Sequence, residues 1–357
     1  MAKIDEIYSQ LVERILENGT KKTDRTRTGT LSIFSDTISY DMRNGFPLLT
    51  TKKVFYDKVL HELLWFFNLV PDKYKDLPIT NVKYLVDHNT NIWTEDALRY
   101  NYEGTEENFR KLKQNKKIYQ KTLQDYKDLI RTDLDFAKEK GGLGNVYGKQ
   151  FIEWTKGRKK VNQIKDLINN IKNNPHSRRL LVNMWNVGDM DIMALPPCPF
   201  AFEIYIEDLS ELERENILMS VDQKYYMDKI RHKKHFKSLD KFFKEKNIPE
   251  KAISLKWHQR SVDVALGLPF NIASYATLLI MLGKLFNYQP RTLEGTLTNV
   301  HIYQNHINSI KQQIKRKRYP APSLTINEVK DFFDYRFENF KLNDYRNSGV
   351  INYELRV

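Results

Sequence analysis

Two apolar stretches constrain the fold more than any other feature. Val54–Phe67 and Asn271–Phe286 are strongly apolar at helical spacing, and such helices are stable only when packed against other elements. Both need a core, and 357 residues suffice for one large core or for a core domain carrying insertions. Amphipathic helices are expected over Ile4–Asn18 and Val161–Asn173, and a polar, charged helix over Asn108–Arg131. β-Branched residues mark Gly29–Tyr40 as a strand. Arg179–Trp185, Phe200–Ile206 and Ala252–Gln259 read as shorter strands, and another ends at Asn299–Tyr303, with a helix following to about Lys317.

No internal repeat or low-complexity linker interrupts this pattern. Leu98–Lys140 carries eleven basic and eight acidic residues, and Asp208–Glu250 ten basic and nine acidic. Both read as insertions, at about 98–140 and 208–250, into a single domain spanning 1–357, because nothing like a flexible linker flanks them. The net charge of +13 fits a solvated lysine-rich surface or an attraction for polyanions, and its even spread decides neither. Zinc-finger, homeodomain and RNA-recognition signatures are absent, so nucleic acid is not an expected partner. No run of about 18 apolar residues is present, and the charged, amphipathic opening lacks the features of a secretory signal. A single cysteine excludes an internal disulfide and suits a reducing compartment. The expected location is cytoplasmic. The lysine, asparagine and tyrosine content suits an AT-rich genome; for a viral protein the location would be host cytoplasm.

A lone cysteine is usually a small buried hydrophobe. Cys198 has an unusual setting: Pro196 and Pro197 fix the backbone before it, between two expected strands. A thiol held at a strand end can act as a nucleophile if cations lower its pKa. Arginines in three segments, His176–Arg179, Gln259–Ser261 and Asp24–Thr26, could supply those cations or grip a phosphate.

Seven blocks, in order, resemble the thymidylate synthase family. They are DRTRTGTLSIF (Asp24–Phe34), FPLLTTKKV with HELLWF (Phe46–Val54, His61–Phe66), LGNVYGKQ (Leu143–Gln150), SRRLLVNMWN (Ser177–Asn186), MALPPC (Met193–Cys198), QRSVDVALGLPFNIASY (Gln259–Tyr275) and HIYQNH (His301–His306). The resemblance runs from about residue 20 to the C-terminus, outside the two insertions. It implies an α/β (α+β) fold of the thymidylate synthase type, with a large mixed sheet surrounded by helices and packed against its twin in a homodimer.

The resemblance also implies the chemistry. Thiolate addition at carbon 6 of a uracil ring, assigned to Cys198, makes carbon 5 nucleophilic. Negative charge then developing on the ring oxygen needs prepared donors. Asn271 would read the uracil edge, which an amide can do by donating and accepting, although it could instead cap the helix that follows. Arg25, Arg178, Arg179 and Arg260 would hold the phosphate, with the arginines of Arg178–Arg179 reaching across the dimer interface, and Ser261 would add a contact. His301 and Tyr303 would hold the sugar hydroxyl. Glu62, set among apolar residues, would carry protons through water, since burial raises a carboxyl's pKa, and Tyr147 would assist removal of the carbon 5 proton. Methylenetetrahydrofolate is the implied co-substrate, with no metal. Asp263 would bind its pterin. Trp93, Leu266, Gly267 and Phe270 would line its pocket, Lys52 would meet its glutamate tail, and Val357 would close the site.

Four positions depart from the family pattern: Pro199 after the cysteine, Asp96 where a second tryptophan is common, Thr298–Val300 before the sugar-binding histidine, and the tail Glu354–Val357. Two of them touch the folate pocket and its lid. A dry pocket lets hydride reach the exocyclic methylene and gives dTMP with dihydrofolate. A wetter one admits water and gives 5-hydroxymethyl-dUMP with tetrahydrofolate. Deoxyuridylate hydroxymethylation is therefore the alternative enzyme activity, and RNA binding through the basic surface the alternative of another class.

Overall fold

The computed structural model describes residues 1–23, 28–230 and 239–353. Its centre is a mixed sheet of seven strands: β1 (Thr20–Lys22), β2 (Thr30–Asp41), β3 (Leu181–Asn183), β4 (Pro199–Asp208), β5 (Lys251–Gln259), β6 (Val262–Asp263) and β7 (Gln289–Tyr303). The order is β1-β2-β7-β5-β4-β3, with β6 pairing with β7 beyond the end of β5. Most pairs are antiparallel. The exception beside β6 is β5 with β7, parallel because the helix Gly267–Phe286 carries the chain back between them.

Five helices frame the site: α1 (Lys3–Asn18), α2 (Tyr56–Phe66), α3 (Tyr147–Ile152), α4 (Gln163–Asn173) and α5 (Gly267–Phe286). They collect on one face of the sheet. That face carries Ile38, Tyr40, Phe202, Ile204, Leu255, Trp257, Leu293 and Leu297, all buried, as the period-two alternation of strands requires. The opposite face carries Ser35, Thr37, Glu203 and Tyr205, all exposed.

The two apolar stretches that demanded a core both lie in it. Helix α5 is long and apolar enough by composition to cross a membrane, yet it is mostly buried within this chain against the sheet, as the core helix of a compact fold would be. It begins at Gly267, so Asn271 lies inside the helix and does not cap it. The expected helix over Asn108–Arg131 is two helices, Glu106–Gln114 and Lys116–Thr132, broken at Asn115. The Asn115 side chain accepts from the Ile118 backbone N–H, the usual way asparagine ends one helix and starts another. The helix expected to reach Lys317 ends at Gln313. Beyond it Arg316 turns back to donate to the carbonyls of Ser348 and Gly349.

The two charged segments pack differently. In the first, Phe109, Tyr119, Tyr126 and Ile130 join the main hydrophobic core. In the second, Leu218, Ile230, Leu239, Phe243 and Ile248 make a small core of their own.

Trp257 lies flat on Tyr275 of α5, ring centroids 5.3 Å apart, and Gly295 on β7 leaves the room for it. A Cβ at Gly295 would stand 2.2 Å from the Trp257 ring. Gly295→Ala should therefore lower the thermal midpoint, at a cost of about 1–3 kcal/mol for overpacking. Thermal unfolding followed by circular dichroism checks this, and an unchanged midpoint would contradict the packing.

Candidate active site

Cys198 sits at the start of β4 and is partly accessible. Two groups fix it. Its backbone N–H donates to the Tyr147 Oη at 2.7 Å. On the other side Arg260, which follows β5, staples itself to the cysteine segment. Its Nε donates to the Pro197 carbonyl at 2.9 Å and its Nη2 to the Pro196 carbonyl at 2.8 Å, while its backbone N–H donates to the Cys198 carbonyl at 2.9 Å. The same Nη2 comes 4.0 Å from Sγ. A guanidinium at that place favours the thiolate. The prolines matter here because their fixed φ restricts the backbone that presents these two carbonyls to Arg260.

Tyr147 opens α3, is buried, and packs its ring on Phe66 and Trp93, with centroids at 4.9 and 5.6 Å. Burial, reinforced by the nearby thiol, holds its hydroxyl protonated far above the ordinary tyrosine range. Trp93 in turn donates from Nε1 to Glu62 Oε1 at 2.7 Å. Glu62 lies on α2 and is 7% exposed. Burial pushes its carboxyl up to about 7, against the lowering effect of the Trp93 hydrogen bond. A path of contacts thus joins the Cys198 backbone, through Tyr147 and Trp93, to a carboxyl able to gain or lose a proton near neutrality.

A second wall comes from the turn between β5 and α5. Gln259, 4% exposed, donates from Nε2 to Asn271 Oδ1 at 3.1 Å and to the Ser261 carbonyl at 3.0 Å. Its own Oε1 accepts from Trp257 Nε1 at 3.2 Å. Since an indole N–H only donates, this chain fixes the Gln259 amide, and through it the Asn271 amide, in one orientation. Sequence reading gave Gln259 no role, although its place next to Arg260 is a signal that could have found it. Asp263 Oδ1 accepts from the N–H groups of Ala265 and Leu266, at 2.9 and 3.2 Å, which shapes the turn before Gly267. Leu266, Gly267 and Phe270 are half-buried along its edge. Asp263 is registered with His301 on β7, and Tyr303 follows at the same strand end. His301 is buried and shares a hydrogen bond of 2.8 Å with the Asn299 carbonyl through Nδ1.

Other candidates lie apart. Lys52 is 5% exposed and donates from Nζ to the Ala265 carbonyl at 2.5 Å, with the Tyr353 ring 5.0 Å below it. Burial pulls its pKa down to about 8, opposed by Asp263. Its ammonium is turned inward, toward the Asp263 turn. Arg178 and Arg179 are exposed and precede β3, whose Leu181 pairs with Glu203 in mid-β4. At the rise of a strand they stand roughly 20 Å along the sheet from Cys198. Arg25 and Val357 lie outside the described residues. Among those described, no cluster of three histidine, cysteine or acidic side chains could hold a metal.

The structure thus joins a cysteine held beside an arginine, through Tyr147 and Trp93, to a carboxyl that burial pushes up to about 7. The sequence profile of the thymidylate synthase family matches residues 6–357. A thymidylate synthase of Mesoplasma florum is 37% identical over 98% of this chain and 99% of its own length. One from Mycoplasma mobile is 35% identical over 99% and 100%, and one from Listeria innocua 33% identical over 98% and 99%. The chain belongs to the thymidylate synthase family.

The Glu62 carboxyl makes stability depend on pH in a defined window. Its ordinary value is 4.5 and its folded value about 7, so the folded state holds the proton more tightly. The stabilisation conferred by the protonated form is complete below pH 4.5, is lost as pH rises to about 7, and the curve is level above. Glu62→Gln stays neutral and can still accept from Trp93. Relative to the wild type it should gain on the order of 2–3 kcal/mol between the two ends of that window. Urea titrations across the window check this, and parallel curves for the two proteins would refute the burial of an ionisable Glu62.

Proposed function

We propose that this chain transfers the one-carbon unit of methylenetetrahydrofolate to carbon 5 of dUMP, giving dTMP and dihydrofolate. The observation that carries the reading is the linked set of Cys198, Arg260, Tyr147, Trp93 and Glu62: a positioned thiol with a cation beside it, joined by direct contacts to a protonatable carboxyl. The names of its relatives support it and do not favour the hydroxymethylating alternative.

In this reading the thiolate of Cys198 adds to carbon 6 of the uracil ring and is later expelled as the double bond re-forms. Arg260 stabilises the thiolate and contributes to holding the phosphate. Asn271, its amide oriented by Gln259, donates to and accepts from the pyrimidine edge. Glu62 exchanges protons with the ring oxygen through water, and Tyr147 assists loss of the proton from carbon 5. His301 and Tyr303 hold the sugar hydroxyl. The folate supplies the one-carbon unit and the hydride. The residues present fit it: Trp93, Leu266, Gly267 and Phe270 offer an apolar edge, and Asp263, one oxygen committed to the turn, has the other to accept from a pterin N–H. Lys52 would have to swing outward to meet an anionic tail. Val357 would close the site.

The position of Arg178 and Arg179 argues for a homodimer. They cannot reach a phosphate beside their own Cys198 from roughly 20 Å along the sheet. A twofold copy packed on the bare sheet face, where Leu181 and Tyr205 are 51% and 65% exposed, brings each pair toward the partner's site. The charged segments at 98–140 and 208–250 are insertions into this single catalytic domain.

Incubation with dUMP and methylenetetrahydrofolate, with mass spectrometry of both products, tests the reading. dTMP with dihydrofolate is expected; 5-hydroxymethyl-dUMP with tetrahydrofolate would replace it by the water-adding reaction. Cys198→Ser should lose turnover by on the order of a thousandfold or more while keeping its fold. Asn271→Asp should shift preference toward dCMP, and an unchanged substrate ratio would remove the role given to Asn271.

A further inference from the structure

The helix that follows Trp93 carries a charged pair that the reaction described above does not use. Asp96 and Arg99 lie one turn apart on Thr94–Tyr100. Asp96 is 5% exposed, and Arg99 Nη2 meets its Oδ1 at 3.1 Å. A carboxylate this deep needs its partner, since removing one member of such a pair leaves a charge stranded. The same Nη2 donates to the Ala194 carbonyl at 2.8 Å. The next residue, Tyr100, donates from its hydroxyl to the Ile192 carbonyl at 3.0 Å. The backbone that receives both bonds, 192–194, runs directly into Pro196, Pro197 and Cys198. Its other side is held too: Ala194 N–H donates to the Leu143 carbonyl at 3.1 Å, and Met193 bridges Gly144, a few residues before Tyr147.

We propose that Arg99, locked by Asp96, is a positioning residue that fixes the spacing between the Trp93–Glu62 wall and the nucleophile segment. Trp93 caps the helix of Arg99, and Cys198 follows the carbonyl that Arg99 holds. The rest of the first charged segment, beyond Tyr100, braces this helix. Lys113 pairs with Glu95, the neighbour of Asp96, and Phe109 and Tyr119 of the same segment reach the main core. The clamp therefore also gives that segment a use, as a brace behind the cofactor-side wall. The catalytic part of this inference rests on the thymidylate synthase reading; the geometric part does not.

The chain's single cysteine makes a clean test. Alkylation of Cys198 by iodoacetamide in the free protein needs no substrate and no activity, and Arg260 remains beside the thiol in every variant. Arg99→Met should change the alkylation rate by roughly threefold or more, because the segment loses its anchor, whereas Arg99→Lys, which can still donate to both oxygens, should stay near the wild type. With dUMP and methylenetetrahydrofolate, Arg99→Met should lower kcat by about tenfold or more with the KM for dUMP little changed, and Arg99→Lys should recover most of the loss. Asp96→Asn, which keeps shape and removes the lock, should fall between them and serves if Arg99→Met fails to fold. A lower thermal midpoint with unchanged alkylation rate and kcat would overturn the proposal, since the pair would then be structural only. A wild type without activity toward dUMP would remove the thymidylate synthase reading, and the alkylation rates would still decide the clamp.

Discussion

The grip of Arg260 on the Pro196 and Pro197 carbonyls is the constraint on which the site depends. A thiol is useful as a nucleophile only if it stays where its target will be, and a cysteine at a strand end would otherwise move with its loop. Two consecutive prolines restrict the backbone that presents their carbonyls. Arg260 takes both and still brings Nη2 to within 4.0 Å of Sγ. One side chain thus sets the position of the thiol and the field around it. Tyr147 completes the fixation from the opposite side by accepting from the Cys198 N–H.

Around this point the protein sorts its polar groups by depth. Glu62 is buried among aromatic rings, so desolvation outweighs its one hydrogen bond and its carboxyl titrates near neutrality. Lys52 is equally deep, and burial moves it the other way, toward a weaker hold on its proton. The Asp5 carboxylate below it accepts from the backbone N–H groups of Thr50 and Thr51, which keeps the loop carrying Lys52 in place. Gln259 and Asn271 show the same economy with neutral groups, where a donor-only tryptophan N–H decides which way both amides face.

The sheet has one face covered by helices and one left open. The covered face holds Trp257 stacked on Tyr275, close enough to need a glycine opposite. The open face exposes Leu181 and Tyr205 and stands beside Arg178 and Arg179. In the homodimer proposed above, a second copy across this face would bring Arg178 and Arg179, too far from their own cysteine, toward the partner's site.

Much of this was legible in the residues. Helical spacing located α1, α2, α4 and α5, strand alternation located β2, β4 and β5, and the ordered motif blocks identified the family and nominated Cys198, Glu62, Tyr147, Asn271 and Arg260. The elements follow from local periodicity and β-branching, and the site residues from the resemblance of the blocks to the family. What needed the tertiary structure was every relation between distant segments. The break at Asn115 came from a side chain competing for a backbone N–H, a contest that composition does not score. Lys52 reads as a cation for an anionic tail until packing turns its ammonium onto the Ala265 carbonyl. Gln259 and Arg99 are ordinary polar residues in sequence. Only folding places one against Asn271 and the other against the loop that leads to the thiol, because hydrogen-bond partners far apart in the chain are chosen by the packing of the whole core.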